Sequence, residues 1–167
     1  AYISSAPFIF QDHFGWSKTM YGVFVGANAL FVAGGSMLAL RFRPLKNASR
    51  YGSLLLLVTT VAESLALWFV DSFWCVELLF LPVCLSLGMI FTATNTLAMN
   101  EGRTAAGAAS ALLGVIGYIF GAIVAPLVGI GNILHSTAIV LTTLALLTFL
   151  ISLRSRRLPA DLLSDKK

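Results

Sequence analysis

Five long apolar blocks, broken by short polar connections, make up most of this chain. They predict membrane-spanning helices over about 20–41, 51–70, 75–99, 104–129 and 133–153, each near or above the roughly 20 residues that cross about 30 Å of hydrocarbon. The apolar cores Tyr21–Leu40, Thr104–Gly131 and Ile133–Leu153 contain no Asp, Glu, Lys or Arg. Polar punctuation separates the blocks: Pro44 and Asn47 in the loop Arg41–Arg50, an outer turn at Asp71–Trp74, an inner turn at Asn100–Arg103, and Gly129–Asn132. Connections this short make sequential helices antiparallel neighbours, so the expected class is an all-α membrane protein. Residues 1–10 are apolar but only half a span long. They predict the outer end of a partial helix, followed by an external loop at Gln11–Thr19, and hence a fragment of something larger.

Charge adds orientation. If the block at 20–41 runs from outside to inside, ten of the eleven basic residues collect on the inner side: Arg41, Arg43, Lys46, Arg50, Arg103, Arg154, Arg156, Arg157, Lys166 and Lys167. Lys18 alone is left outside. Lys and Arg in short loops stay cytoplasmic, so residues 1–153 form the bundle and 154–167 a cytoplasmic tail, in a multi-pass inner (plasma) membrane protein. Composition agrees: 58% of residues are hydrophobic and 11% charged, against about 25% charged in a soluble domain. The net charge of +4 sits beside apolar spans, where it favours anionic lipid. Nucleic acid is not an expected partner.

Chemistry-bearing residues are few. Cys75 and Cys84 lie nine residues apart in one span, about 13 Å along a helix, too far for a disulfide; apolar packing is their expected role. His13 and His135 lack the partners and spacing of a metal site. No HExxH, nucleophile elbow or glycine-rich phosphate loop occurs, and no two carboxylates are expected at one membrane depth. No enzyme, metal or cofactor is therefore predicted.

Glu63 is the carboxylate well inside a span. An acid near the bilayer centre costs about 2.5–3.5 kcal/mol on insertion scales and often serves in proton relays, so Glu63 is a proton-coupling candidate. A structural role, bonded to Ser64, Thr60 or a neighbouring helix, is the alternative. Glu77, a turn past the outer connection, is expected at the interface. Asn95, flanked by Thr92, Thr94 and Thr96, suits either interhelical bonds or a wet cavity. In the span 104–129, Gly107, Gly114, Gly117 and Gly121 follow a run of small residues, Ala105–Ala111. Small residues at these spacings let backbones approach, so this helix is expected at the centre, with Pro82 and Pro126 permitting bends. The same glycines equally suit a static seam.

Particular residues resemble a family. Tyr2-Ile3-Ser4-Ser5-Ala6-Pro7-Phe8, followed by Gly15-Trp16-Ser17, is similar to the outer end of the seventh helix in Bcr/CflA-type drug-resistance transporters of the major facilitator superfamily. Glu101 and the segment Ala106-Gly107-Ala108-Ala109-Ser110-Ala111-Leu112 with Gly114 resemble the entry to that group's eleventh helix, and Asn95 matches an asparagine late in the tenth. The resemblance implies the six-helix half of a twelve-helix bundle, its first helix truncated and its N-terminal half missing. It further implies proton-coupled efflux of drugs or other amphipathic small molecules, with Phe91, Thr94 and Asn95 facing substrate, Tyr118 and Asn28 assisting, and the span 104–129 as the sliding contact. Arg41, Arg43, Lys46 and Arg50 resemble the superfamily's basic inner-loop motif, but Leu40 stands where that motif has its acid. A metabolite transporter of the same superfamily and a non-transporting membrane scaffold are the alternatives.

Overall fold

The computed structural model describes residues 6–8, 11, 15–70, 72–130 and 132–154. Five helices there are long and apolar enough to cross a membrane: α1 (Lys18–Ala39), α2 (Leu45–Phe69), α3 (Phe73–Glu101), α4 (Ala106–Val128) and α5 (Ile133–Arg154). A single 3-10 turn, Arg103–Ala105, leads into α4. The expected partial helix at 1–10 and the tail at 154–167 lie largely outside the described residues.

Local chemistry sets the ends. Ser17 caps α1, its hydroxyl accepting from the Met20 N–H at 3.3 Å, the usual satisfaction of an orphan first-turn donor. Pro44 occupies the cap position of α2 in extended conformation, so the helix begins at Leu45, ahead of the apolar run at 51. Lys46, Asn47 and Arg50 thus ride on its first turns, at headgroup level, rather than in a loop. Asn132 caps α5, its side-chain oxygen accepting from the Leu134 N–H at 3.0 Å. Pro82 and Pro126 lie inside helices that run on through them.

The helix α3 is the hub, packed along α1 on one side and α2 on the other, while α2 carries α5 on its far face. Three apolar clusters fill these seams, one of them Ala66, Leu67, Val76 and Ala138 beside the α2–α3 turn. Leu56, Phe80, Val83, Cys84 and Ala145 join α2, α3 and α5, and Ala39, Ala48, Met89 and Ala93 close the inner end. The α1–α3 contact is the tightest. A Cβ built on Gly35 would lie 1.9 Å from the Leu85 carbonyl oxygen, and one on Gly88 would lie 2.0 Å from that of Val32. Both positions therefore demand glycine. Ser36 completes the crossing, its hydroxyl donating to the Val32 carbonyl at 3.1 Å and to that of Gly88 at 3.4 Å.

Among the described residues, the helix over 104–129 lies at the edge of the bundle. The helix α4 touches α3 and α5 only lightly, and Val128 is its buried residue. A Cβ on Gly107, Gly114, Gly117 or Gly121 would meet nothing within 4 Å. Small residues permit close approach without supplying the partner that makes it; here that role falls to Gly35 and Gly88.

Aromatic rings gather at the ends that carry Trp16, Trp68 and Trp74. Trp16, Phe24 and Trp74 form an edge-to-face cluster with centroids 5.1 to 6.2 Å apart. Trp68 of α2 stacks on His135 of α5 at 4.6 Å. At the opposite end Phe42 packs on Tyr51 at 5.6 Å. Rings of this kind favour the headgroup boundary.

Candidate functional site

Residues expected to face a substrate fall on two levels. On the inner half of α3, Phe91 is 69% exposed. Thr94 is exposed and bonds back to its own helix, donating to the Ile90 carbonyl at 2.7 Å, while Asn95 is half-buried. Tyr118, on α4, is 83% exposed. Asn28 is elsewhere: it is buried in α1, at a level about 20 Å further toward the outer surface, given 1.5 Å of rise per residue along α3. Phe91 and Thr94 thus share one open face, and Asn28 does not join them.

A shallow apolar groove of about 360 Å³ runs between α2 and α5, lined by Val61, Leu65, Trp68, Ile139 and Thr143 among others. Its floor holds an interhelical bond, with the Ser64 and Thr142 hydroxyls 2.7 Å apart and Ser64 also 3.2 Å from the Ala138 carbonyl oxygen. Open and apolar, it offers little that could orient a polar solute.

Polar chemistry lies instead one to two turns from the α2–α3 connection. Glu63 is 1% exposed and Glu77 4% exposed, and Glu63 lies within electrostatic reach of Glu77. Two expectations are corrected here. Glu77 is buried rather than interfacial, because α3 is covered at that point by α1 and α2. The two carboxylates also share a depth, because α2 and α3 are antiparallel and the residues stand equally far along the chain from Val70, at the turn. Glu63 does not bond Ser64, whose hydroxyl is taken by α5, nor Thr60, whose oxygen has no partner. Asn28 approaches the same place from α1, its amide directed at the Glu77 carboxylate. Among the described residues no group of three His, Cys, Asp or Glu could hold a metal ion, and Cys75 and Cys84 are free thiols.

Five long apolar helices, an apolar exterior and buried polar groups confined to helix seams define a multi-pass α-helical membrane protein. Comparison with known proteins refines the class. The chain is 32% identical over 135 residues to a protein of Bacillus subtilis (strain 168) described as an uncharacterized MFS-type transporter, YdgK. The alignment covers 79% of this chain and 34% of that protein, so the chain spans about a third of the length of the curated relative it matches. No family model matches the chain, and no solved structure gives a significant match.

Proposed function

We propose that this chain is the C-terminal part of a secondary active transporter of the Bcr/CflA type, expelling drugs or other amphipathic small molecules in exchange for protons. The likeness to an MFS-type transporter over 79% of the chain carries the reading. Two six-helix halves would rock about a site near the midplane, open to each side in turn. Phe91 offers a flat aromatic face to a planar drug, Thr94 and Asn95 offer orienting hydrogen bonds, and Tyr118 adds a second ring. Glu63 is the proton-coupling group within this part. The exposed glycine face of α4, with Gly107, Gly114, Gly117 and Gly121, is the sliding contact with the remainder of the transporter. The cationic connectors face the cytoplasm, as does the C-terminus, in the inner membrane.

The chemistry of α3 favours this reading over a metabolite transporter. Between Glu77 and Glu101 the helix carries no charged residue, whereas a sugar or amino acid needs fixed polar or charged anchors in its cavity. The test is expression of the full-length gene in a cell sensitised to toxicants. Protection against several unrelated compounds, abolished by an uncoupler, is the expected result; unchanged susceptibility across a broad panel overturns the proposal.

A further inference from the structure

The helix registers bring three polar side chains together at one depth. Along the parallel pair α1 and α3, Phe24 lies against Trp74 and Gly35 against Leu85, the same spacing in both places. Continuing it puts Asn28 beside Leu78, one residue from Glu77. Along the antiparallel pair α2 and α3, Gly52 lies against Met89 and Ile90. Continuing that register puts Glu63 beside the same turn. Asn28, Glu63 and Glu77 are all at least nine-tenths buried, as is Thr60, one turn further in on α2.

Their polar atoms are unusually short of partners. Glu63 Oε2, Glu77 Oε1, Thr60 Oγ1 and both Asn28 side-chain atoms are buried without a hydrogen bond. Asn28 is neutral and comes from a different helix than either acid, yet its amide is directed at Glu77 and stops short of a formed bond. Unpaired polar atoms in a dry seam are costly, and two ionised carboxylates in mutual reach are costlier still. A basic side chain does not resolve this. In the helices that surround the pair, the cations are Lys18 at the outer end of α1, Lys46 and Arg50 on α2, and Arg154 at the end of α5. Arg50 is about 20 Å from Glu63 along the helix axis. Other titratable groups near the cluster are the Cys84 thiol of α3, within electrostatic reach of both acids, Tyr21 of α1, and His135 of α5, stacked on Trp68 more than a turn outward.

We propose that Glu63 and Glu77 form a proton-sharing carboxylate pair, with Asn28 as the amide donor that holds whichever oxygen is left ionised. A proton enters from the outer surface, about one helical turn from Glu77, and binds one carboxylate oxygen; its loss reverses that single step and no other bond changes. Thr60 gives the proton a second acceptor on the inward side. This deepens the proton-coupled reading above and rests on it for its role in transport, although its test does not require transport.

The experiment is infrared difference spectroscopy of the full-length protein in detergent, between acid and alkaline pH, in ordinary and heavy water. A protonated-carboxyl band that titrates and shifts in heavy water is expected. Glu63→Gln and Glu77→Gln should each diminish the band and displace the titration of what remains, and the double substitution should abolish that component. The heavy-water shift in the unaltered protein needs no variant, and Thr60→Val, which keeps both acids, should retain the band. A carboxyl difference spectrum that the double substitution leaves unchanged overturns the proposal, as does a residue whose titration ignores loss of the other. Displacement of the titration by sodium chloride, absent with choline chloride, would identify a metal cation as the occupant and overturn it equally.

Discussion

Gly88→Ala tests the α1–α3 crossing on which the bundle is hung. The added Cβ would lie 2.0 Å from the Val32 carbonyl oxygen, 2.9 Å from its carbon and 3.0 Å from the Ser36 nitrogen. All three are backbone atoms, so no side chain can swing aside. Restoring ordinary contact at 3.4 Å requires the helices to part by about 1.4 Å, which loosens the close-packed seam around Leu85 and Met89. It also takes the Ser36 hydroxyl out of range of the Gly88 carbonyl, 3.4 Å away at present. Overpacking costs about 1–3 kcal/mol, and an interhelical hydrogen bond in a membrane protein averages about 0.6 kcal/mol. Together these predict a loss of about 2–4 kcal/mol, readable by reversible unfolding of the full-length protein in mixed micelles. Gly35→Ala should behave alike, and the double substitution should cost less than the two singles combined, because one separation relieves both clashes. Gly22→Ala and Gly26→Ala, where an added Cβ meets nothing within 4 Å, serve as controls. Gly88→Ala unfolding with wild-type stability would refute the crossing geometry.

Other predictions follow from single contacts. Ser64→Ala removes the bond to Thr142 and should lower stability by about 0.5–1.5 kcal/mol, with a coupling near 0.6 kcal/mol in a double-mutant cycle with Thr142→Val; additive effects would deny the bond. Cys84, buried in the seam, should resist a membrane-impermeant maleimide until the protein is denatured, while Cys75, partly exposed near the start of α3, should label slowly; rapid labelling of Cys84 in the folded protein would contradict the packing. Phe91→Ala should weaken protection against planar aromatic toxicants more than against aliphatic ones, read from relative susceptibilities, and a uniform loss would count against a stacking role.

Membrane helices are legible because the bilayer leaves the chain so little choice. A block such as 133–153, without an Asp, Glu, Lys or Arg, has no other way to satisfy its backbone, and the structure places α5 there as Ile133–Arg154. What composition conceals is which helix meets which. The glycines of the span 104–129 are the conspicuous ones, being many and regularly spaced, yet within this part of the protein close approach occurs at Gly35 and Gly88, residues on different helices whose complementarity exists only once α1 and α3 are in register. The buried acids show the same limit from another side. Taken singly, Glu77 stands one turn from a connection and looks exposed. Its equal distance from Val70 with Glu63 was the available signal, since an antiparallel pair of helices joined by a short turn aligns residues equidistant from it. The arrival of Asn28 could not be foreseen in that way, because it depends on a third helix packed across the pair.

We propose that this bundle, as part of a full-length transporter, moves small molecules across a membrane at the expense of protons. The most direct measurement is flux through the full-length protein in sealed proteoliposomes, with ethidium as a flat lipophilic cation on one side and a pH-sensitive dye on the other. An imposed proton gradient should drive ethidium across while the gradient decays faster than in protein-free vesicles, and an uncoupler should stop both. Folded protein that leaves ethidium and protons where they began, in either direction of the gradient, would contradict the account.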